Sequence, residues 1–255
     1  MTRRPPYGNG AVVDAESPWK LTLRDINWPF YTYKMSASEW HRLLARAKRG
    51  DPESEWEVAD RYGDGCKDNR GNILLRRSAR RAGQWFRRAA EHGQSSAQNN
   101  LAVRLSNGDG IAKNVQEAFF WFKKAFRAGN VTAAQNIAVT YREIGNLRVA
   151  VRWFKKSAMA GDDDALLQLG IHYYWGKGVR KNSKAAVQCF RKATKAKNIS
   201  GYGRDDAFFF LGLAYFEGRG VKKSARTARR LFQRANGDDD NAAARTMLRK
   251  LHDRF

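Results

Sequence analysis

One pattern recurs along most of the 255-residue chain and restricts its fold more than any other feature. It is clearest at positions 164–195, where DALLQLGIHYYWGKGVRKNSKAAVQCFRKATK contains two apolar stripes at helical spacing. Gly176 and Gly178 lie between the stripes, where the first helix must end and the chain must reverse. Neither helix can bury its apolar face alone, so the pattern predicts helix pairs that stack on one another.

Two markers measure the repeat. An aromatic residue or leucine near the end of each first helix falls at Tyr62, Leu105, Tyr141, Tyr173 and Tyr215. A bulky residue followed by phenylalanine marks each second helix, at Trp85-Phe86, Trp121-Phe122, Trp153-Phe154, Cys189-Phe190 and Leu231-Phe232. A unit of about 36 residues is the norm, and the departures from it fall in loops, as a stacked repeat array tolerates.

Units such as AQNNLAVRLSNGDGIAKNVQEAFFWFKKAFRAG (97–129) and AFFFLGLAYFEGRGVKKSARTARRLFQRANG (207–237) resemble the Sel-one-like repeats, which are relatives of the tetratricopeptide repeats. The resemblance covers roughly residues 53–237. It implies an all-α fold, a right-handed α/α superhelix (solenoid) of about five helix-turn-helix repeats with N- and C-terminal capping helices. Such a resemblance is informative about fold and much less so about function.

The chain is expected to divide into four parts. Residues 1–35 form a flexible N-terminal arm, 36–52 an N-terminal capping helix, 53–240 the five repeats and 241–255 a C-terminal capping helix. The arm includes an aromatic segment, WKLTLRDINWPFYTY at 19–33. This segment either covers the exposed end of the solenoid or offers a contact surface to a partner.

Net charge is the most unusual bulk property, since 48 Lys and Arg against 25 Asp and Glu give +23 and a pI near 10.4. The positive electrostatic field of such a chain favours an acidic partner: nucleic acid, an anionic membrane surface or an acidic protein. The alternative is a solubilising outer face. Two cysteines do not form a disulfide framework, and no apolar run suits a signal peptide or membrane span. We therefore expect a cytoplasmic protein of undetermined oligomeric state.

No catalytic constellation, cofactor motif or metal site is predicted. The four histidines fall in different units, and none lies four residues from another. The acidic triplets at 162–164 and 238–240 each follow a glycine that ends a helix, so we expect them to cap the next helix instead of binding metal.

The first helices are expected to line a concave groove. Positions beside the first marker then give a strip that is apolar at one end and polar at the other. We predict that this strip binds a protein or peptide partner through Asn99, Gln135, Arg142, Leu167, Ile171, Tyr174, Trp175, Phe209, Leu213 and Phe216. The alternative is that several of these side chains pack between adjacent units.

A second candidate surface lies in the long loop of the first unit and the helix after it. Seven arginines occur there without an acid, and guanidinium groups grip phosphates and carboxylates in bidentate fashion. We predict an anion-binding patch at Arg70, Arg76, Arg77, Arg80, Arg81, Arg87 and Arg88, with a solvated loop as the alternative.

The function predicted from these features is that of a non-enzymatic protein interaction scaffold or adaptor, with an acidic protein among the partners expected. The resemblance also implies roles in host interaction or as immunity partners of bacterial toxins, and the residues do not choose among them. The rival interpretation is a nucleic-acid-binding module that uses the basic face and the arginines at 70–88. Against it, no known nucleic-acid motif occurs in the sequence.

Overall fold

The computed structural model describes residues 33–237 and 241–252. Most of the predicted N-terminal arm and the acidic triplet at 238–240 therefore lie outside the described residues. Within them, the helices are α1 (Ala37–Lys48), α2 (Pro52–Asp64), α3 (Ala79–Glu91), α4 (Ser95–Asn107), α5 (Val115–Arg127), α6 (Thr132–Glu143), α7 (Leu147–Met159), α8 (Asp163–Trp175), α9 (Ser183–Lys195), α10 (Gly201–Glu217), α11 (Ala225–Ala235) and α12 (Ala242–His252).

The helices form hairpins in sequence order. First helices are α2, α4, α6, α8 and α10, and second helices are α3, α5, α7, α9 and α11. Helix α2 packs on α3, α4 on α5, α8 on α9 and α10 on α11, and further contacts join α3 to α4 and α9 to α10. The predicted all-α repeat fold is thus confirmed.

The described residues fall into two compact units, divided within α6. We call residues 33–137 the N-terminal unit and residues 138–252 the C-terminal unit. In the N-terminal unit, Ser36 and Glu39 form a capping box at the start of α1, and Asp51 caps α2 ahead of Pro52. These side chains satisfy N–H groups that the first turn of a helix leaves without partners.

The long loop of the first repeat supplies two strands of a small three-stranded sheet that the sequence did not predict, and residues before α1 supply the third. Strand β1 (Tyr33–Lys34) pairs in parallel with β2 (Cys66–Lys67), which pairs antiparallel with β3 (Ile73–Leu75). Strands of two or three residues are too short for an alternating pattern to be recognised. The thiol of Cys66 is buried and donates to the carbonyl of Tyr33, 3.1 Å away.

The C-terminal unit is organised around phenylalanines. Phe154, Phe190 and Phe232 of the second marker are fully buried. Gly170 and Gly212 of the first helices lie against Phe190 and Phe232, where a Cβ would overlap the rings. Glycine is therefore needed in these helix interiors, despite its low helix propensity, to let the aromatic rings approach the backbone.

The second glycine of each Gly-x-Gly loop lies against the neighbouring repeat. Gly110, Gly178 and Gly220 have positive φ angles, and a Cβ on any of them would overlap backbone atoms at the start of a preceding second helix. Gly110 meets Ala79 at the start of α3, and Gly178 meets Leu147 at the start of α7. Gly220 meets Ser183 at the start of α9. These loops therefore join consecutive repeats as well as the two helices of one repeat.

Candidate interaction surface

Five of the ten residues predicted to line a groove are buried, four of them in the C-terminal unit. The exposed fraction is 3% for Leu167, 2% for Ile171, 0% for Tyr174 and 8% for Phe209. All four belong to the core of the C-terminal unit. The prediction that these four side chains line an exposed groove is therefore wrong. The alternative, that they pack between adjacent repeats, fits their burial.

The geometry of α8 explains this burial. Leu167, Ile171 and Tyr174 are spaced four and three residues apart, so they form one stripe along the helix. Helix α8 packs against α10 of the next repeat as well as against its own partner α9. A first helix thus needs two apolar faces, and the face assigned to the groove is the one that the next repeat covers.

In the N-terminal unit, the predicted polar residues are held within the fold. Asn99 is buried on α4, and its Oδ1 accepts a hydrogen bond from Nδ2 of Asn136 on α6 at 2.9 Å. Gln135 is half-buried on α6. A buried amide that loses its partner costs about 1–3 kcal/mol, so the Asn99 and Asn136 pair contributes to stability whether or not a ligand binds there.

In the C-terminal unit, Arg142 is positioned by a hydrogen bond from its Nη1 to Oε1 of Gln168, 2.8 Å away. Its guanidinium lies 5.9 Å from the centre of the Phe154 ring. Burial lowers the pKa of Arg142, with the charge of Glu143 opposing this shift. The group stays protonated at neutral pH, so it places a positive charge beside the first helices.

His172 is buried next to this charge. Its Nδ1 lies 2.7 Å from the carbonyl oxygen of Lys177, which assigns the neutral tautomer with the proton on Nδ1. Burial lowers the pKa of His172, the hydrogen bond to Lys177 opposes this shift, and the charge of Arg142 lowers it further.

Acidification should therefore destabilise the chain through His172. The unfolded chain takes up a proton near pH 6.5, whereas the folded chain does so only at lower pH, so stability is lost as pH falls below that value. We expect the melting temperature to fall more steeply between about pH 7 and pH 5 in the wild type than in a His172→Asn variant. Parallel curves for the two proteins would contradict this assignment.

Three predicted residues of the C-terminal unit, Trp175, Leu213 and Phe216, are half-buried. They pack against the edge of the closed core without being enclosed by it. Leu213 and Phe216 are three residues apart on α10 and so share one face of that helix. Nε1 of Trp175 is buried and has no hydrogen-bond acceptor among the described residues.

Glu217 and Arg219 join the end of α8 to the loop after α10. Tyr174 donates its hydroxyl hydrogen to Oε2 of Glu217 at 2.5 Å, and Nε of Arg219 lies 2.9 Å from the same oxygen. The guanidinium of Arg219 lies 5.7 Å from the centre of the Trp175 ring. Burial, together with the Glu217 carboxylate, raises the pKa of Tyr174, so its hydroxyl remains a donor. The sequence analysis did not identify Glu217 and Arg219 as partners of Tyr174. The sign of them in the sequence was a pair of charged residues on either side of Gly218.

Two members of the predicted arginine patch already have carboxylate partners. Nη1 of Arg87 lies 2.6 Å from Oε1 of Glu117, and Nη2 of Arg88 lies 2.9 Å from Oε1 of the buried Glu55. His92 contacts the other oxygen of Glu55 at 2.7 Å. The prediction overlooked these pairs because the acids lie on other helices, outside the sequence window that contains the arginines.

The other five arginines of the patch lie along the loop and the first turn of α3. Arg70, Arg76, Arg77, Arg80 and Arg81 are exposed. The guanidinium of Arg81 lies 5.5 Å from the centre of the Tyr62 ring. Anion binding by these five residues stays a prediction.

Across 33–237 and 241–252, no group of three or more His, Cys, Asp and Glu side chains is arranged to hold a metal ion. Asp162 caps α8 through its side chain, as predicted. None of the described helices combines the length and the apolar character needed to span a bilayer.

Comparison with known proteins agrees with the repeat pattern. A family model described as Sel1 repeat matches residues 52–94, 95–130, 143–162, 163–198 and 206–236. The crystal structure of a Sel1 repeat protein from Oxalobacter formigenes is 27% identical, with a TM-score of 0.62, over 78% of this chain and 75% of that one. No curated protein gives a significant match.

A second solved structure is that of c5321, a protective antigen present in uropathogenic Escherichia coli strains and displaying an SLR fold. It is 27% identical to this chain, with a TM-score of 0.66. The match covers 80% of this chain but only 42% of the antigen, so this chain corresponds to less than half of that protein.

Proposed function

Because this chain belongs to the Sel1 repeat family, whose members are generally protein-interaction scaffolds, we propose that it binds a partner protein or peptide and catalyses no reaction. The binding residues are proposed to lie on the C-terminal unit. They are Trp175, Leu213 and Phe216, with Arg142 and Gln168 as polar neighbours. We call these five residues the first-helix surface.

The observation that carries this proposal is the incomplete burial of Trp175, Leu213 and Phe216 beside a closed core. The apolar stripe that stacks α8 on α10 is already complete without them. Large apolar side chains left at a surface are typical anchors of protein interfaces, where a few of them supply most of the binding free energy.

The chemistry of the first-helix surface suits a partner with mixed anchors. Arg219 supplies positive charge beside Trp175, Arg142 supplies a second positive charge on the first helices, and its hydrogen-bond acceptor Gln168 supplies an amide. A peptide or helix with one or two apolar side chains and a carboxylate would satisfy both kinds of group. The net charge of +23 favours an acidic partner over a basic one.

A double variant tests this surface. Leu213→Gln and Phe216→Gln keep residues with good helix propensity but remove both apolar anchors, and we expect partner affinity to fall at least about tenfold. Because both side chains are only half-buried, the expected cost in stability is about 1 kcal/mol for each. Proteins captured by the wild-type chain would be identified by mass spectrometry, purified and titrated calorimetrically against both chains.

A Phe120→Gln variant is the matched control, since Phe120 is 59% exposed on α5 of the N-terminal unit. It should capture the same proteins as the wild type. Equal affinity of the double variant and the wild type for the purified partner would exclude the first-helix surface as the binding site.

A further inference from the structure

The second helices of the C-terminal unit carry positive charge only. Each of α7, α9 and α11 contains four Lys or Arg residues and no Asp or Glu. The first helices of the same unit differ, because α8 contains Asp163 and Asp164 without any Lys or Arg. Charge of one sign is therefore concentrated on one kind of helix.

All twelve of these cationic side chains are exposed. The ion pairs that the structure shows among the described residues involve none of them. Their contacts within the chain are to neutral groups, such as the hydroxyl of Tyr215, 2.8 Å from Nη2 of Arg191, and the carbonyl of Leu251, 3.0 Å from Nη2 of Arg229. We call this set of side chains the second-helix face.

Four acids of the C-terminal unit are engaged elsewhere. Asp162 caps α8 and accepts from Ser157, Asp163 accepts from the backbone of Asn198, and Asp164 accepts from Ser200. Glu217 contacts Tyr174 and Arg219. These four acids therefore do not supply a counter-charge to the second-helix face.

The N-terminal unit differs, although its second helices also carry more Lys and Arg than Asp and Glu. Its second helices include acids, Glu91 on α3 and Glu117 on α5. Glu117 pairs with Arg87, and Glu55 of α2 pairs with Arg88. Positive charge is partly neutralised within that unit, so high net charge alone does not account for an acid-free face.

We propose that the second-helix face binds an acidic segment of a partner protein. Like charges three and four residues apart on a helix repel one another, and a row of partner carboxylates would relieve this repulsion on all three helices. The inference rests on the proposed scaffold function and adds a binding site outside the first-helix surface.

Two features favour a protein over nucleic acid as the occupant. Single-stranded nucleic acid is held by aromatic side chains that stack on bases, and Trp153, the one tryptophan on these helices, lies under the ammonium group of Lys156 at 4.5 Å. Met159 is 79% exposed and lies four residues from Lys155, on the same side of α7. An apolar anchor beside the charges suits a peptide and has no counterpart in a phosphate backbone.

The test uses the full chain and two labelled probes of equal charge. One is a peptide of alternating Glu and Asp with a single central Leu, and the other is a DNA duplex. At about 0.15 M salt, where surface charges more than about 8 Å apart are screened, we expect the peptide to bind more tightly than the duplex by fluorescence anisotropy. Tighter binding of the duplex would overturn the proposal.

A fourfold charge reversal locates the site. Lys155→Glu, Lys192→Glu, Arg226→Glu and Arg230→Glu together should weaken peptide binding at least about tenfold. The control reverses Lys113, Lys123, Lys124 and Arg127 of the N-terminal unit to Glu, which changes net charge equally, and it should bind almost as the wild type does. Equal losses in the two variants would show that only net charge matters and would overturn the proposal.

Two further variants keep the outcome interpretable. If circular dichroism shows that the fourfold reversal is unfolded, the same four positions changed to Gln are compared with Gln at the four control positions and judged by the same criteria. The Leu213→Gln, Phe216→Gln variant should bind the acidic peptide normally. If only the double variant loses partner capture, the first-helix surface is the partner site. If only the fourfold variant loses peptide binding, the second-helix face is the peptide site.

Discussion

A Gly178→Ala substitution is expected to destabilise the chain by about 2–5 kcal/mol, although it adds a single methyl group. Gly178 has φ +72°, where a residue with a Cβ is strained by about 1–2 kcal/mol. Its Cβ would also overlap the carbonyl of Leu147 at the start of α7. Overpacking of this kind costs about 1–3 kcal/mol. The clashing group is a main-chain carbonyl, which, unlike a side chain, cannot move away by a change of rotamer.

Gly161→Ala separates the two contributions. Gly161 also has a positive φ, +94°, but no neighbouring atom lies within 4 Å of the site of a Cβ. Its substitution should cost only the strain, about 1–2 kcal/mol. Urea unfolding followed by circular dichroism gives both values, and equal losses in the two variants would show that contact with the preceding repeat is unimportant.

A Phe209→Ala substitution is expected to lower the free energy of unfolding by about 3–5 kcal/mol through the cavity it leaves. Phe209 is 8% exposed, and its ring centre lies 5.4 Å from that of Phe210 and 5.7 Å from that of Phe232. Neighbouring rings held by the backbone of α10 and α11 cannot easily fill the vacated space.

Phe120→Ala is the control, since the side chain is mostly exposed and its loss should cost less than about 1 kcal/mol. Chemical denaturation of the two variants beside the wild type measures the difference. If the Phe209→Ala variant is as stable as the wild type, the Phe209 ring does not support the core. Phe209 would then again be a candidate for contact with a partner.

The sequence pattern located the helices well because period and turn chemistry are local. Phe86, Phe122, Phe154, Phe190 and Phe232 of the second marker are all buried. A repeated phenylalanine opposite a small residue has one stable location, between the two helices of its own hairpin. Residues only a few positions away in the sequence determine that location.

The assignment of helix faces was weaker, and the tyrosines of α8 show why. Tyr173 carries the sequence marker but is half-buried, whereas Tyr174 is fully buried and contacts the next repeat. Adjacent residues on a helix point about 100° apart. The way the repeats stack decides which face of a helix the next repeat covers. The spacing of apolar residues within a single helix carries no information about that stacking.

Contacts between distant positions were not predictable for the same reason. Glu55 is buried, and its carboxylate contacts His92, 37 residues away, and Arg88, both of which are exposed. Nothing at position 55 distinguishes this glutamate from Glu53 and Glu57 on the same helix. Its role follows from which turn of α2 faces α3, and that is fixed only once the hairpin has formed.

The glycine contacts between repeats also bear on where this chain can accept insertions. The loops from Gly108 to Asn114, Gly176 to Asn182 and Gly218 to Ser224 have the same length, and each ends with a backbone hydrogen bond to the preceding first helix. Extra residues occur elsewhere, in the strands of the first repeat and before α10. An added residue inside one of the three loops would move its glycine off the neighbouring backbone, so length variation during divergence should be confined to segments that lack this contact.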